Sequence, residues 1–169
     1  MPRLRQQGVT LIELMITLSI VAFLLMAAAP FGAHWVQSNR QMQARSLLWE
    51  GVSQARAIAL RNPQAQAMGT PAATLQMRAG QLEVVVPGID APLWTAPLRA
   101  GVSLKLTDHD GYADASAMQA TGHPAFDCLN FDMRGLRLPG ASGCTDSALS
   151  LNRIAIGLAN QDPLYVDLL

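Results

Sequence analysis

The first part of the chain is a continuous apolar segment from Val9 to Ala29, with a single charged residue, Glu13, near its start. No charge occurs between Leu14 and Ala29. At about 1.5 Å per residue, a helix of this length spans roughly 31 Å, close to the ~30 Å hydrocarbon core of a bilayer. The pattern therefore predicts a membrane-spanning helix over residues 9–29.

After Pro30 the pattern becomes amphipathic and continues with near-helical spacing. The apolar positions are Val36, Leu47, Leu48, Val52, Ala55, Ile58 and Ala59, and the charged ones are Arg40, Arg45, Glu50, Arg56 and Arg61. Asn62 precedes Pro63 and so disfavours the α conformation. We expect a helical continuation over residues 30–62, with its apolar stripe on a globular domain and its arginines on a solvated face.

Short alternating segments follow Pro63 and indicate β-strands. They cover residues 74–78, 81–86, 102–106, 129–133, 136–138, 149–156 and 164–168. Ala79-Gly80 separates the first two segments as a tight hairpin turn. Asp108 to Pro124 is rich in Gly, Asp, Ala and Ser and is expected to be a long loop. The predicted fold is α+β, with a long N-terminal helix packed on a mainly antiparallel sheet over residues 63–169.

Charge and cysteine content bear on the compartment. Arg3 and Arg5 precede the apolar segment and favour a cytoplasmic N-terminus, which places the rest outside the inner membrane. Residues 63–169 hold six basic and ten acidic groups, and a net acidic domain disfavours general nucleic-acid binding. Cys128 and Cys144 are the only cysteines. In an exported domain they suggest one disulfide, the alternative being two free thiols; a zinc site would need further ligands.

Three interpretations of the N-terminal segment are open on composition alone. Ala27-Ala28-Ala29 resembles the cleavage site of a secretory signal peptide, but the apolar segment exceeds the usual ~7–15 residues. A plain membrane anchor is the second interpretation. Glu13 favours the third, a segment with a further use, because a charge at membrane depth costs several kcal/mol unless it is paired or hydrated.

The segment Gly8-Val9-Thr10-Leu11-Ile12-Glu13-Leu14 resembles the processing motif of type IV pilins and type II secretion pseudopilins. The resemblance implies that a prepilin peptidase cuts between Gly8 and Val9 and methylates the new amine of Val9. It also implies that Glu13 neutralises the N-terminal amine of a neighbouring subunit during assembly. Val9 departs from the Phe or Met usual in the family, whereas Pro30 matches a proline that many members have.

The layout is similar to the pseudopilin H and FimT-type branch of minor pseudopilins, and Gln54 to Pro63 resembles the end of its long helix, without its acidic residue. The resemblance implies a prepilin leader (1–8), an assembly helix (9–29), its amphipathic continuation (30–62) and a periplasmic β-rich domain (63–169). Such a protein is a single-pass inner-membrane subunit. It joins other pilin or pseudopilin subunits in a periplasmic or surface filament for type II secretion or pilus assembly.

No catalytic or phosphate-binding motif is present, so neither enzymatic activity nor a cofactor is expected. Asp108, Asp110 and Asp114 are weak candidates for a hard cation such as Ca²⁺, although their spacing differs from that of an EF-hand. The alternative function is DNA binding by a competence pilin, for which the nearest basic candidates are Arg134, Arg137 and Arg153. The acidic C-terminal segment argues against this alternative.

Overall fold

The computed structural model describes residues 9–120, 122–138, 144, 151–159 and 161–168, without the side chains of residues 29–31 and 33. Its elements are α1 (Leu11–Arg61), β1 (Ala73–Arg78), β2 (Gln81–Val86), β3 (Ile89–Pro97), β4 (Val102–Thr107), α2 (Ala115–Ala120), β5 (Cys128–Phe131), β6 (Arg153–Leu158) and β7 (Leu164–Asp167). The chain divides into two compact units, Met1–Val36 and Gln37–Leu169, and α1 contributes to both.

Helix α1 is 51 residues long and ends where the sequence predicts. Asn62 adopts a left-handed conformation with a φ of 43°, and its backbone N–H donates to the Ile58 carbonyl at 3.1 Å. Its side chain then exchanges two hydrogen bonds with the backbone of Gln66, at 2.8 and 3.0 Å. Because Asn tolerates this conformation and Pro63 cannot continue the helix, the chain leaves α1 here.

The strands of the second unit form two antiparallel sheets rather than the single sheet expected from sequence. One sheet has the order β3-β2-β1-β5 and the other the order β4-β6-β7. The predicted turn between β1 and β2 is present, since Arg78 pairs with Gln81 and both intervening residues have positive φ values, 49° at Ala79 and 77° at Gly80. The antiparallel pairing and the helix together confirm the α+β class.

Strand β3 was not predicted from the sequence. It contains Pro92 and Pro97, which lack the amide donor that a β-ladder requires. In the sequence, these prolines argue against a strand. The strand forms nonetheless because it lies at a sheet edge, where it pairs only with β2.

The predicted loop from Asp108 to Pro124 is wrong in its second half, which contains α2. The carboxylate of Asp114 accepts a hydrogen bond from the Ala117 N–H at 2.7 Å and caps the helix. Tertiary packing then holds this short element, since a Cβ at Gly157 would lie only 2.8 Å from Met118 Cε.

Two strand predictions also needed correction at their boundaries. The segment predicted at 149–156 forms β6 at Arg153–Leu158, and its first two residues lie outside the described part of the chain. The segment predicted at 136–138 is no regular strand, but it makes one bridge, Phe131 to Arg137, and the Leu138 N–H donates to the Asn130 carbonyl at 2.8 Å.

The core of the second unit lies between α1 and both sheets. The helical residues that it buries recur every three or four positions: Ala44, Leu48, Val52, Ala55 and Ala59. They pack with sheet residues such as Leu75, Leu129 and Ile156. Gly51 allows a close approach, since a Cβ there would lie 3.0 Å from Leu75 Cδ1. The second part of α1 is therefore held by its apolar stripe, as predicted.

Two polar residues of α1 bond to β6 or to residues next to β7 instead of facing solvent. The amide nitrogen of Gln41 donates to the carbonyls of Ile156 and Asp162, both at 2.8 Å. Arg56, expected on the solvated face, is half-buried: it donates to the Leu168 carbonyl at 2.6 Å and lies 5.6 Å from the centre of the Phe131 ring. Its Nε is buried without a partner among the described residues.

Strand β5 is fixed at its start by a disulfide and just after its end by a buried carboxylate. Cys128 and Cys144 form a disulfide that links residues 16 positions apart. Asp132 is fully buried and accepts hydrogen bonds from the backbone N–H groups of Arg134 and Leu136, both at 2.9 Å. The Arg134 guanidinium also contacts this carboxylate at 2.9 Å. Burial raises the pKa of Asp132, but these hydrogen bonds outweigh it and the pKa is lowered.

We expect Leu48→Ala to lower the free energy of unfolding by about 3 kcal/mol, because Leu48 is fully buried and its truncation leaves a cavity. Leu60→Ala is the matched control: Leu60 lies on the same helix but is 61% exposed, so the expected loss is under about 0.5 kcal/mol. Urea unfolding of the full chain in detergent micelles measures both. Equal losses would contradict this description of the core.

We expect Asp132→Asn to destabilise the protein at pH 7 by about 2 kcal/mol, because the charged hydrogen bonds are lost. Since the pKa of Asp132 is lowered by folding, its stabilising contribution is fully present above the unfolded value, near 3.8, and is lost as the pH falls through the folded value. Urea midpoints at pH 7 and pH 3 should therefore differ less for Asp132→Asn than for the wild type. An unchanged difference would refute this assignment.

Candidate processing and assembly site

The described part of the N-terminal motif begins at Val9, and Thr10 directly precedes the first residue of α1, Leu11. The Thr10 hydroxyl accepts a hydrogen bond from the Glu13 N–H at 3.3 Å, and the Thr10 carbonyl accepts one from the Leu14 N–H at 3.2 Å. A Thr three residues before a Glu is the sequence pattern of a capping box. Thr10 is thus a positioning residue that the sequence analysis missed, although its signal was present.

The large apolar side chains between Val9 and Met26 are exposed on all sides of the helix. The exposed fractions range from 50% at Val21 to 81% at Met26. Residues 11–28 have a mean hydropathy of 2.4 and form a helix that is long and apolar enough to cross a membrane. A helix that is apolar on every face requires lipid or other protein around it, because water would leave this surface unfavourably hydrated.

Polar side chains within this segment satisfy themselves locally. The Thr17 hydroxyl donates to the Leu14 carbonyl at 2.9 Å, and the Ser19 hydroxyl donates to the Met15 carbonyl at 2.8 Å. These bonds remove the cost of placing two hydroxyl groups in a hydrocarbon environment. Neither residue therefore needs a polar partner from outside the helix.

Glu13 differs from these hydroxyl residues. Its backbone N–H is bound by Thr10, but its carboxylate has no partner among the residues that the structure describes. Arg3, Arg5 and Gly8 lie outside the described residues. Glu13 is the acidic residue of the first turn of α1, where the helix dipole favours a negative charge. Within the described residues, the Glu13 carboxylate is therefore exposed and has no hydrogen-bond or ion-pair partner.

The three weak candidates for a cation site are separately engaged. Asp108 lies 3.5 Å from His123, and Asp110 forms an ion pair with Arg153 at 2.6 Å. Asp114 caps α2 through its carboxylate. No cluster of three or more metal-ligating side chains occurs in the described ranges of the chain.

The three candidate arginines for DNA contact also have partners within the chain. Arg134 binds the buried carboxylate of Asp132, and Arg137 donates to the Leu151 carbonyl. Arg153 lies between Asp110 and Asp167, at 2.6 and 2.7 Å, and these bonds raise its pKa above the ordinary value. Their guanidinium groups are therefore engaged within the chain, and a phosphate would have to compete with neighbouring carboxylates at Arg134 and Arg153.

Comparison with known proteins identifies the N-terminal segment only. Residues 3–29 match the prokaryotic N-terminal methylation motif, a type IV pilin-like prepilin signal. No curated protein and no solved structure matches the chain. The motif implies processing by a prepilin peptidase and assembly with other pilin subunits. Together with the exposed apolar helix, the match shows that the chain carries the N-terminal signal of a type IV pilin-like subunit.

Proposed function

We propose that this protein is a minor pilin-like subunit of the pseudopilin H and FimT-type branch, with a structural rather than an enzymatic role. It is anchored in the inner membrane by residues 9–29, with its N-terminus in the cytoplasm and residues 63–169 in the periplasm. A prepilin peptidase removes residues 1–8 and methylates Val9. The mature subunit then enters a periplasmic or surface filament that supports type II secretion or pilus assembly.

The observation that supports this function best is the methylation motif on a helix whose apolar surface has no cover of its own. A bilayer covers that surface before assembly, and neighbouring helices cover it afterwards. The Glu13 carboxylate fits the same transfer. Opposite charges that are desolvated together lose much less than either does alone, so a neighbouring subunit's N-terminal amine is a suitable partner.

The Gln37–Leu169 unit fits the role of a structural subunit. Its disulfide suits an oxidising compartment such as the periplasm. Its helix is fixed to both sheets by the apolar stripe and by the bonds of Gln41 and Arg56. These features favour a rigid domain on an assembly helix.

We expect the mature protein to begin at Val9 and to carry one methyl group on its amine when it is produced together with a prepilin peptidase. Mass spectrometry of the N-terminal peptide measures both changes. The same chain produced without the peptidase is the control and should retain Met1 to Gly8. An N-terminus after Ala29 would instead indicate a cleaved signal peptide. A chain that remains unprocessed would indicate a plain membrane anchor.

We expect Glu13→Gln to leave membrane insertion intact but to reduce incorporation into filaments by about tenfold or more, because an unpaired desolvated amine costs more than the ~1.4 kcal/mol that corresponds to tenfold. Cross-linking to neighbouring subunits measures incorporation. Thr17→Val is the matched control, since Thr17 lies one turn away and bonds to its own helix. Normal incorporation of Glu13→Gln would rule out the proposed charge pair.

A further inference from the structure

A groove runs between α1 and the edge strand β7 within the Gln37–Leu169 unit. It has a volume of about 540 Å³ and is lined by Met42, Arg45, Ser46, Trp49, Tyr165, Val166 and Asp167. We refer to it as the β7 groove. Strand β7 is the last strand of its sheet and pairs only with β6, so its other side faces this groove.

The backbone of β7 has hydrogen-bonding groups that point away from β6 and have no backbone partner among the described residues. The Leu168 N–H donates to the Asn152 carbonyl at 2.8 Å, which fixes the side of the chain that faces β6. Because these groups alternate along an antiparallel strand, Val166 and Leu164 also face β6, whereas Tyr165 and Asp167 face away from it. Neither backbone group of Tyr165 or Asp167 has a backbone partner on that side among the described residues.

The other sheet edges in the described part of the chain are protected. The outward groups of β4 are used by a neighbouring segment, since Leu106 N–H donates to the Pro124 carbonyl at 3.1 Å and Phe126 N–H donates to the Leu104 carbonyl at 3.0 Å. Leu138 covers β5 in the same way, by donating to the Asn130 carbonyl. Strand β3 contains two prolines, a common protection against further pairing. Among the described residues, no proline or neighbouring segment protects the edge of β7, and this edge borders a groove.

The helical wall of the groove defines the chemistry of an occupant. Met42 and Trp49 are 60% and 54% exposed, so the wall offers apolar and aromatic surface. Arg45 is exposed and has no carboxylate partner among the described residues. The carboxylate of Asp167 on the opposite wall is already bound by Arg153 at 2.7 Å. The groove therefore offers one unneutralised positive charge beside an apolar surface.

We propose that the β7 groove binds an extended, acidic segment of a partner protein, which adds to the sheet as a strand beside β7. The backbone of the segment pairs with Tyr165 and Asp167, and a carboxylate of the segment meets Arg45. Apolar side chains of the segment cover Met42 and Trp49. Strand addition gives affinity through the backbone and specificity through the side chains on the groove walls. This inference does not depend on cleavage at Val9 or on the role of Glu13.

The test uses the full chain in detergent micelles and a blocked ten-residue peptide of alternating Thr and Val with one central Glu. We expect binding in a fluorescence anisotropy titration, and about tenfold weaker binding when alternate peptide amides are methylated. Hydrogen exchange should slow at the Tyr165 and Asp167 amides and remain unchanged at Val166, which β6 already protects. Absence of binding at millimolar peptide, or equal affinity for the methylated peptide, would overturn the proposal.

Two variants separate the groove from general charge effects. We expect Arg45→Glu to weaken peptide binding by about tenfold and Arg40→Glu, on the same helix but outside the groove, to leave it unchanged. Equal effects would overturn the role of Arg45. A concentration series of the chain without peptide tests a different occupant. If the Tyr165 and Asp167 amides became protected by self-association alone, a second copy would fill the groove and the proposal would be wrong.

Discussion

The burial of one stripe of α1 is the interaction on which the Gln37–Leu169 unit depends. The stripe consists of small and medium side chains, three of them alanines, and Gly51 lies between two of its members. These side chains let the helix approach both sheets closely. Without that contact each sheet would expose its apolar face to water. A sheet of only three or four strands needs such packing to be stable. The helix therefore forms part of the core.

The same helix must satisfy a different solvent in its first unit. Residues around Leu18 and Phe23 expose apolar surface, and Thr17 and Ser19 return their hydroxyl groups to the helix backbone. In the second unit, the side chain of Gln41 instead donates to the carbonyl of Ile156 in β6 and to that of Asp162 before β7. The two parts of this helix therefore treat polar side chains differently. In the first unit, the hydroxyl side chains of α1 bond to the helix's own backbone. In the second unit, the side chain of Gln41 bonds to other segments and helps fix the position of the helix.

The sequence predicted those parts of the fold that depend on local pattern. The apolar segment, the helix end at Asn62 and the turn at Ala79-Gly80 follow from side-chain periodicity, proline geometry and turn conformation. Strand β3 and helix α2 escaped prediction because tertiary context overrides their composition. An edge position tolerates Pro92, and packing of Met118 on Gly157 stabilises a helix too short to persist alone.

The candidate site was predictable to a similar degree. Glu13 stood out because a charge in an apolar segment is costly, whereas Thr10 adds no charge to that segment and so did not stand out. The partners of Arg134 and Arg153 differ in how far the sequence could predict them. Asp132 is two residues from Arg134, but Asp110 reaches Arg153 only through the fold. The open edge of β7 depends on which strands become neighbours, so side-chain pattern alone could not reveal it.

The hydrogen bond from Arg56 to the Leu168 carbonyl has a consequence for the order of events during synthesis. It joins positions 112 residues apart, and Val166 and Leu168 supply part of the core around the helix. Because the chain is made from its N-terminus, α1 must wait for almost the whole domain before its stripe is fully covered. Strand β7 and Leu168 complete the cover of the helix, and a chain that stops before them would leave the stripe of α1 with an uncovered face.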